Sequence, residues 1–417
     1  MKVIETKTPA GTRVVIFSDP TAHLFTFAVN FNVGAINEWP GKFGIAHFLE
    51  HMAFQGTSRM NAKQLAAAVE GMGGESNAFT GYEETQYYIT CMPQYVHECI
   101  QLLGHTLADS QFPEDELAKE RQVILQERSD RNDDANQVLW NLALKDAYGK
   151  KNRLAEDIIG SVKEIKALTR DDLVNFVQGQ YIRKNATVLV YGNVGHKYFF
   201  SSILESIDRH IVFPDNTGNY SRIQHAIESV PAMGKPARAT GKFDSFYGKV
   251  MAVQHTEDRF DVKQNLAKQI MSELIGGGYT SVLYQKIRQD LGIVYSVGSF
   301  VWELNNNHIF ASTLASGSEA NLAKAIGIIH DTYANLTKLI RETGIETARK
   351  MVKTRLARQL SSFTGCYSVL SDLALRGQVI APSQLIYLVD AVTEDDVVEC
   401  AKAFEVQPMY TAMLLKK

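Results

Sequence analysis

His47 and His51 stand four residues apart, with Glu50 between them, in the run His47-Phe48-Leu49-Glu50-His51. On a helix both imidazoles leave the same face one turn apart, and Glu50, three after His47, reaches that face too. Imidazole nitrogens and carboxylate oxygens are zinc ligands, and this order reverses the H-E-x-x-H zinc helix. A catalytic zinc takes three protein ligands and keeps a fourth position for water. Two histidines supply two of them. A third ligand has to come from elsewhere in the chain, and a nearby carboxylate has to serve as base.

A second helix is predicted from Pro113 to Glu127, with proline at its start, acids in its first turn and no later breaker. Glu116, Glu120 and Glu127 fall near one face of it, the last two being two turns apart. That face can present one carboxylate to a metal and another to a ligand histidine.

The elements that must carry these residues read as strands followed by helices. Val14 to Phe17, Phe25 to Val33 and Gln86 to Thr90 are β-rich; Ala62 to Met72, Tyr95 to Ser110 and Leu117 to Arg128 read as helical. With 417 residues the chain is too long for one ordinary core. It also repeats itself: Leu168-Thr169-Arg170-Asp171-Asp172-Leu173-Val174 recurs as Val392-Thr393-Glu394-Asp395-Asp396-Val397-Val398, each followed by a helix and a strand. The expectation is an α+β protein of two homologous domains, each a mostly antiparallel sheet with helices packed on one face. The boundaries are 1–212 for a zinc-binding domain, 213–238 for a turn-rich linker and 239–417 for a second domain.

Laying Ala267 to Gly277 on Ala46 to Gly56 sets Lys268, Met271 and Ser272 opposite His47, Glu50 and His51. The later glutamates fall on Lys350 and Ala357. The second half therefore keeps the scaffold without the metal residues. Gly276-Gly277-Gly278 lacks the Lys-Ser/Thr of a nucleotide loop and reads as a helix end with close backbone packing.

Composition narrows the rest. Apolar residues make up 45% and charged residues 21%, as in globular proteins generally. A net charge of −3 with no basic stripe gives nucleic-acid binding no support, and no apolar run spans a bilayer, so no membrane partner is expected. The first residues form neither an apolar signal core nor an arginine-rich leader. A cytoplasmic location is expected, with a mature organellar chain as the alternative. Cys91, Cys99, Cys366 and Cys400 form no C-x-x-C pair and are expected to be reduced thiols. The remaining histidines, His225 among them, have no ligand partner at useful spacing.

On these residues the chain resembles the inverted-motif zinc metallopeptidases of the pitrilysin family, peptidase family M16, which includes insulin-degrading enzyme and the mitochondrial processing peptidases. Members carry H-x-x-E-H and a glutamate ligand about 76 residues on, with another glutamate seven before it; here Glu127 lies 76 after His51, and Glu120 seven before Glu127. The resemblance implies one Zn2+ per chain on His47, His51 and Glu127, Glu50 as general base, and Glu120 orienting a ligand histidine. It implies that Asn77, Ala78, Phe79 and Thr80 form an edge strand that pairs with an extended peptide substrate. Arg288 and Tyr295, in the second half, are implied to reach the substrate near the zinc and steady the oxyanion. One departure is Lys150-Lys151-Asn152-Arg153-Leu154, where many relatives have a His-Pro turn.

The expected function is that of a zinc metalloendopeptidase acting on peptides or short unfolded proteins. The alternatives are a dedicated processor of leader or targeting sequences, and a noncatalytic scaffold subunit of a larger complex. Longer relatives build a chamber from four such domains. A chain with two domains and both residue sets is therefore expected to work as a homodimer, each zinc site receiving Arg288 and Tyr295 from the partner. A heterodimer with a different subunit is the alternative.

Overall fold

A computed structural model describes residues 1–149, 152–215 and 238–417. Most of the expected linker and Lys150 and Lys151 of the departing loop lie outside the described residues, as does His225. The chain forms two compact units, and each is built from one sheet.

The first unit holds strands β1 (Lys2–Lys7), β2 (Arg13–Ser18), β3 (Phe25–Phe31), β4 (Glu75–Thr80), β5 (Thr85–Cys91) and β6 (Ala186–Gly192), in the order β1-β2-β6-β3-β5-β4. Only β2 and β6 run parallel. The expected β-rich segments become β2, β3 and β5, and β1 adds an edge ahead of them. Every residue of β3 and β6 is buried, so both faces of this sheet must be covered. Helices α1 (Ile45–Met52), α2 (Ala62–Gly71), α3 (Val96–Ala108) and α4 (Glu114–Asp133) as far as Ser129 belong to this unit, and α1 and α3 pack on β5. On their side Phe31 stacks on Tyr181 with centroids 3.7 Å apart, and the Tyr87 and Tyr181 hydroxyls share a hydrogen bond of 2.8 Å. Adjacent strand residues point to opposite faces. Tyr88 therefore lies on the other face, with Tyr191, and there both meet Tyr367.

Tyr367 comes from the second half of the sequence. Residues 366–381 belong to the first unit, and residues 130–156 belong to the second. Helix α5 (Ala135–Tyr148) is in that second segment and packs on β7 (Arg238–Phe243), β8 (Gly248–Thr256) and β11 (Tyr410–Lys416). The other two strands of this sheet are β9 (Ser296–Glu303) and β10 (His308–Ser316). Trp140 of α5 meets Phe300 and Trp302 on one face. Phe310 meets Tyr333 and Phe404 on the opposite face. The cut at 213–238 separates the two sheets in sequence. It does not describe the units, because each sheet takes its second cover from a helix of the other half.

The duplication is visible in topology. The second sheet runs β7-β11-β8-β10-β9, with only β7 and β11 parallel, and matches the first strand for strand once β1 is set aside. The repeated Thr-x-x-Asp boxes cap equivalent helices, Arg170–Gln180 and Glu394–Glu405. In each box the threonine oxygen accepts from the aspartate N–H, and the aspartate accepts in return. Each aspartate also binds a lysine: Lys42 reaches Asp172 at 2.6 Å and Lys263 reaches Asp396 at 2.7 Å. Burial raises both carboxyls, but the lysine and threonine donors outweigh it and hold both below the ordinary value. Their stabilisation is complete above the ordinary aspartate pKa of about 3.9 and is lost as pH falls through the lowered values. Thr169→Ala removes one cap and is expected to destabilise the first unit by about 1 kcal/mol, measured by urea unfolding at neutral pH.

Candidate metal centre

Helix α1 carries His47, Glu50 and His51, and its position is set at its first turn. Gly44 precedes it with φ +93, a left-handed conformation, and a Cβ there would lie 2.1 Å from the Ile159 carbonyl oxygen. The Glu38 carboxylate, 2% exposed, accepts from Gly44 N–H and Ala46 N–H, each at 3.0 Å. This places an anion at the positive end of the helix and satisfies N–H groups that have no partner inside it. Ile45, Phe48, Leu49 and Met52 are buried, so the polar face of α1 turns toward α4.

Helix α4 buries Leu117 and Ile124, seven residues apart. Glu120 and Glu127 are also seven apart, so a stripe that packs and a stripe that presents carboxylates run side by side. Arg121 pins the helix: it donates to the carbonyls of Ile165 and Leu168 and lies over the Phe48 ring, 5.6 Å from its centroid.

The two helices bring His47, His51 and Glu127 together, with one donor atom from each lying within 4.8 Å of the others. Glu127 Oε2 is 3.6 Å from His47 Nε2 and 3.5 Å from His51 Nε2. Zinc ligands held tetrahedrally at about 2.0–2.1 Å stand roughly 3.4 Å from one another, so the donor set fits that ion in chemistry and the two Glu127 distances fit it in spacing. His51 Nδ1 is 3.0 Å from Glu120 Oε2, and Gln55 donates to Glu120 Oε1 at 3.0 Å. A proton on Nδ1, given to Glu120, leaves the Nε2 lone pair facing Glu127. Burial lowers the His51 pKa, but bonding to Glu127 and Glu120 and the charge of Glu50 outweigh it, and the imidazole sits above its ordinary value. His47 is 7% exposed and is the most enclosed of the three candidate ligands.

Glu50 shares this face of α1, and its Oε2 accepts from Thr80 Oγ1 at 2.7 Å. Thr80 ends β4, which is the last strand of its sheet and packs on α1. Ala78 and Thr80 face the helix, whereas Asn77 and Phe79 face away, and Phe79 is 41% exposed. Sequence reasoning had no signal for the Thr80, Gln55 or Glu38 contacts, which join residues distant along the chain or buried in a turn.

Arg288 and Tyr295 stand in the second unit. Arg288 lies on a π-helical turn, Tyr284–Asp290, and is exposed; Tyr295 precedes β9, is 67% exposed and stacks on Tyr247. At the position equivalent to His47 the second unit buries Lys268, whose ammonium binds Asp258 at 2.8 Å. Among the described residues no second cluster of metal donors occurs there. A π turn, Glu273–Gly277, continues the helix Val262–Ser272 into the first two glycines and ends at extended Gly278, and a Cβ on Gly276 would lie 2.2 Å from Ser299 Oγ, the expected helix end with close packing.

Glu120→Ala removes the acceptor for His51 and is expected to weaken zinc binding by roughly 10- to 100-fold, measured by competition with a chelator. In the metal-free protein, Glu120→Gln is expected to lower the His51 pKa, followed by NMR titration of the ring.

Residues 13–161 match the family described as Insulinase (Peptidase family M16), and residues 167–352 match the Peptidase M16 inactive domain. His47, Glu50, His51 and Glu127 all lie in the first match. A protein named as a zinc protease from Rickettsia bellii is 26% identical over 401 residues, 94% of this chain and 92% of its own. A second, from Mycobacterium leprae, is 30% identical over 297 residues, 71% of this chain and 65% of its own. In fold, a protease from Helicobacter pylori superposes with a TM-score of 0.83 at 22% identity, covering 99% of both chains. A peptidase M16 inactive domain from Pseudomonas fluorescens gives 0.84 at 17% identity, covering 100% of this chain and 98% of that one. On these matches the chain belongs to peptidase family M16, the insulinase-type peptidases, as one of its small two-domain members.

Proposed function

We propose that the protein is a zinc-dependent endopeptidase that cleaves peptides or short unfolded chains. The observation that carries this reading is the His47, His51 and Glu127 donor set, with Glu50 on the same helix and an open strand edge packed against it. Zinc held by those three residues would supply Lewis acidity at the scissile carbonyl and make water easier to deprotonate. Glu50 takes the proton from the attacking water and returns one to the leaving amine. Glu120 holds the His51 ring in the tautomer that leaves Nε2 as a ligand. The outer edge of β4, from Asn77 to Thr80, pairs with substrate backbone, which gives affinity with little demand on side chains.

Arg288 and Tyr295 serve as donors to the oxyanion, supplied in trans by a second copy of the chain. Two features support this assignment: both side chains are exposed, and one chain carries both residue sets. Among the described residues no helix is long and apolar enough to cross a membrane.

Glu50→Gln keeps every metal donor and removes the base. It is expected to bind one zinc per chain and to lose turnover of a short unstructured peptide by about 10²–10⁴. Wild-type turnover in that variant would overturn the mechanism, and a wild-type protein with neither stoichiometric zinc nor peptide turnover would instead be a scaffold. Shared sites are tested by mixing an inactive Glu50→Gln chain with an inactive Arg288→Ala chain and letting subunits exchange. Activity is expected to return, because one site of each mixed dimer regains a complete set. No recovery despite proven exchange would mean that the chains do not complete each other.

A further inference from the structure

We propose that Thr80 is a positioning residue for the general base, fixing the Glu50 carboxylate from the strand that pairs with substrate. The inference rests on the reading of Glu50 as the base. Thr80 Oγ1 donates to Glu50 Oε2 at 2.7 Å, the length of a charge-assisted bond to a carboxylate. A second acceptor, the Ala46 carbonyl, is 3.5 Å away, so the shorter bond goes to the carboxylate.

The hydroxyl is itself held firmly. Threonine is β-branched and stiff at χ1. Thr80 pairs in register with Thr85, which is fully buried and donates from its own Oγ1 to the Val33 carbonyl at 2.8 Å. The position of the donor is therefore set by the β4–β5 ladder and not by a flexible arm. Glutamate has three side-chain torsions, and without an anchor only part of its population would face the attacking water. Because β4 is also the open edge of the sheet, the same backbone would fix both where a substrate strand lies and where the base points.

The alternative is that Thr80 merely ties strand to helix, and kinetics separate the two. Thr80→Val keeps the branched shape and loses the donor; Thr80→Ala loses both; Thr80→Ser keeps the donor. Each is prepared zinc-loaded and assayed on a short unstructured fluorogenic peptide, with Glu50→Gln alongside. Zinc per chain and the affinity of each metal-free variant for the same peptide are measured in parallel. Thr80→Val and Thr80→Ala are expected to lower kcat by roughly 10- to 100-fold, the worth of one hydrogen bond to a charged group. KM, zinc content and peptide affinity stay near wild type, and Thr80→Ser restores most of kcat. The proposal is overturned if kcat survives in Thr80→Val while Glu50→Gln is inactive. It is equally overturned if Thr80→Ser is as impaired as Thr80→Val, or if the loss falls on KM and peptide affinity alone. Wild-type turnover in Glu50→Gln would instead remove the base assignment itself, and this proposal with it.

Discussion

The hold of the buried Glu38 carboxylate on the start of α1 is the interaction on which the candidate metal centre hangs. A helix of eight residues is too short to hold its own shape in water, and α1 must do so while presenting two histidines and a glutamate. Glu38 accepts two of the N–H groups at the start of α1, and hydrogen bonds to a charged group contribute about 1.5–3 kcal/mol each. Gly44 lets the chain enter the helix against the Ile159 carbonyl, where a side chain has no room. With the first turn fixed and Phe48, Leu49 and Met52 in the core, the helix has no freedom to roll. The polar face then has one direction, toward α4 and β4.

Around that helix the site is assembled from groups that constrain one another. Glu127 faces both imidazoles; Glu120 fixes the outer nitrogen of His51 and is itself held by Gln55. Arg121 keeps α4 from sliding, since a shift of one residue would carry Leu117 and Ile124 out of the core along with the glutamates. Such preorganisation matters because buried charged groups are costly unless each has its partner.

The second unit repeats the sheet, the capping boxes and the lysine–aspartate tie, yet buries Lys268 where the first has His47. An ammonium repels a metal cation, and its pairing with Asp258 closes the position. The two units thus share the parts that fold and differ at the candidate metal site. That division suits the roles proposed above, metal chemistry for the first half and the Arg288 and Tyr295 donors for the second.

The sequence by itself determined most of the elements and which candidate donors share a face, while the choice of Glu127 as third donor came from the family resemblance. Helical periodicity brings His47, Glu50 and His51 to one face, and the seven-residue step does the same for Glu120 and Glu127, because both depend only on local geometry. The repeated Thr-x-x-Asp boxes are equally local and mark equivalent helices in both units. Tertiary structure alone decided which distant groups meet: Thr80 with Glu50, Gln55 with Glu120, Glu38 with the start of α1. It also decided that residues 130–156 and 366–381 each join the unit of the other half. Nothing in a local pattern records that exchange. It follows from a global need: a sheet whose central strands are buried on both faces must find a second cover, wherever along the chain that helix happens to lie.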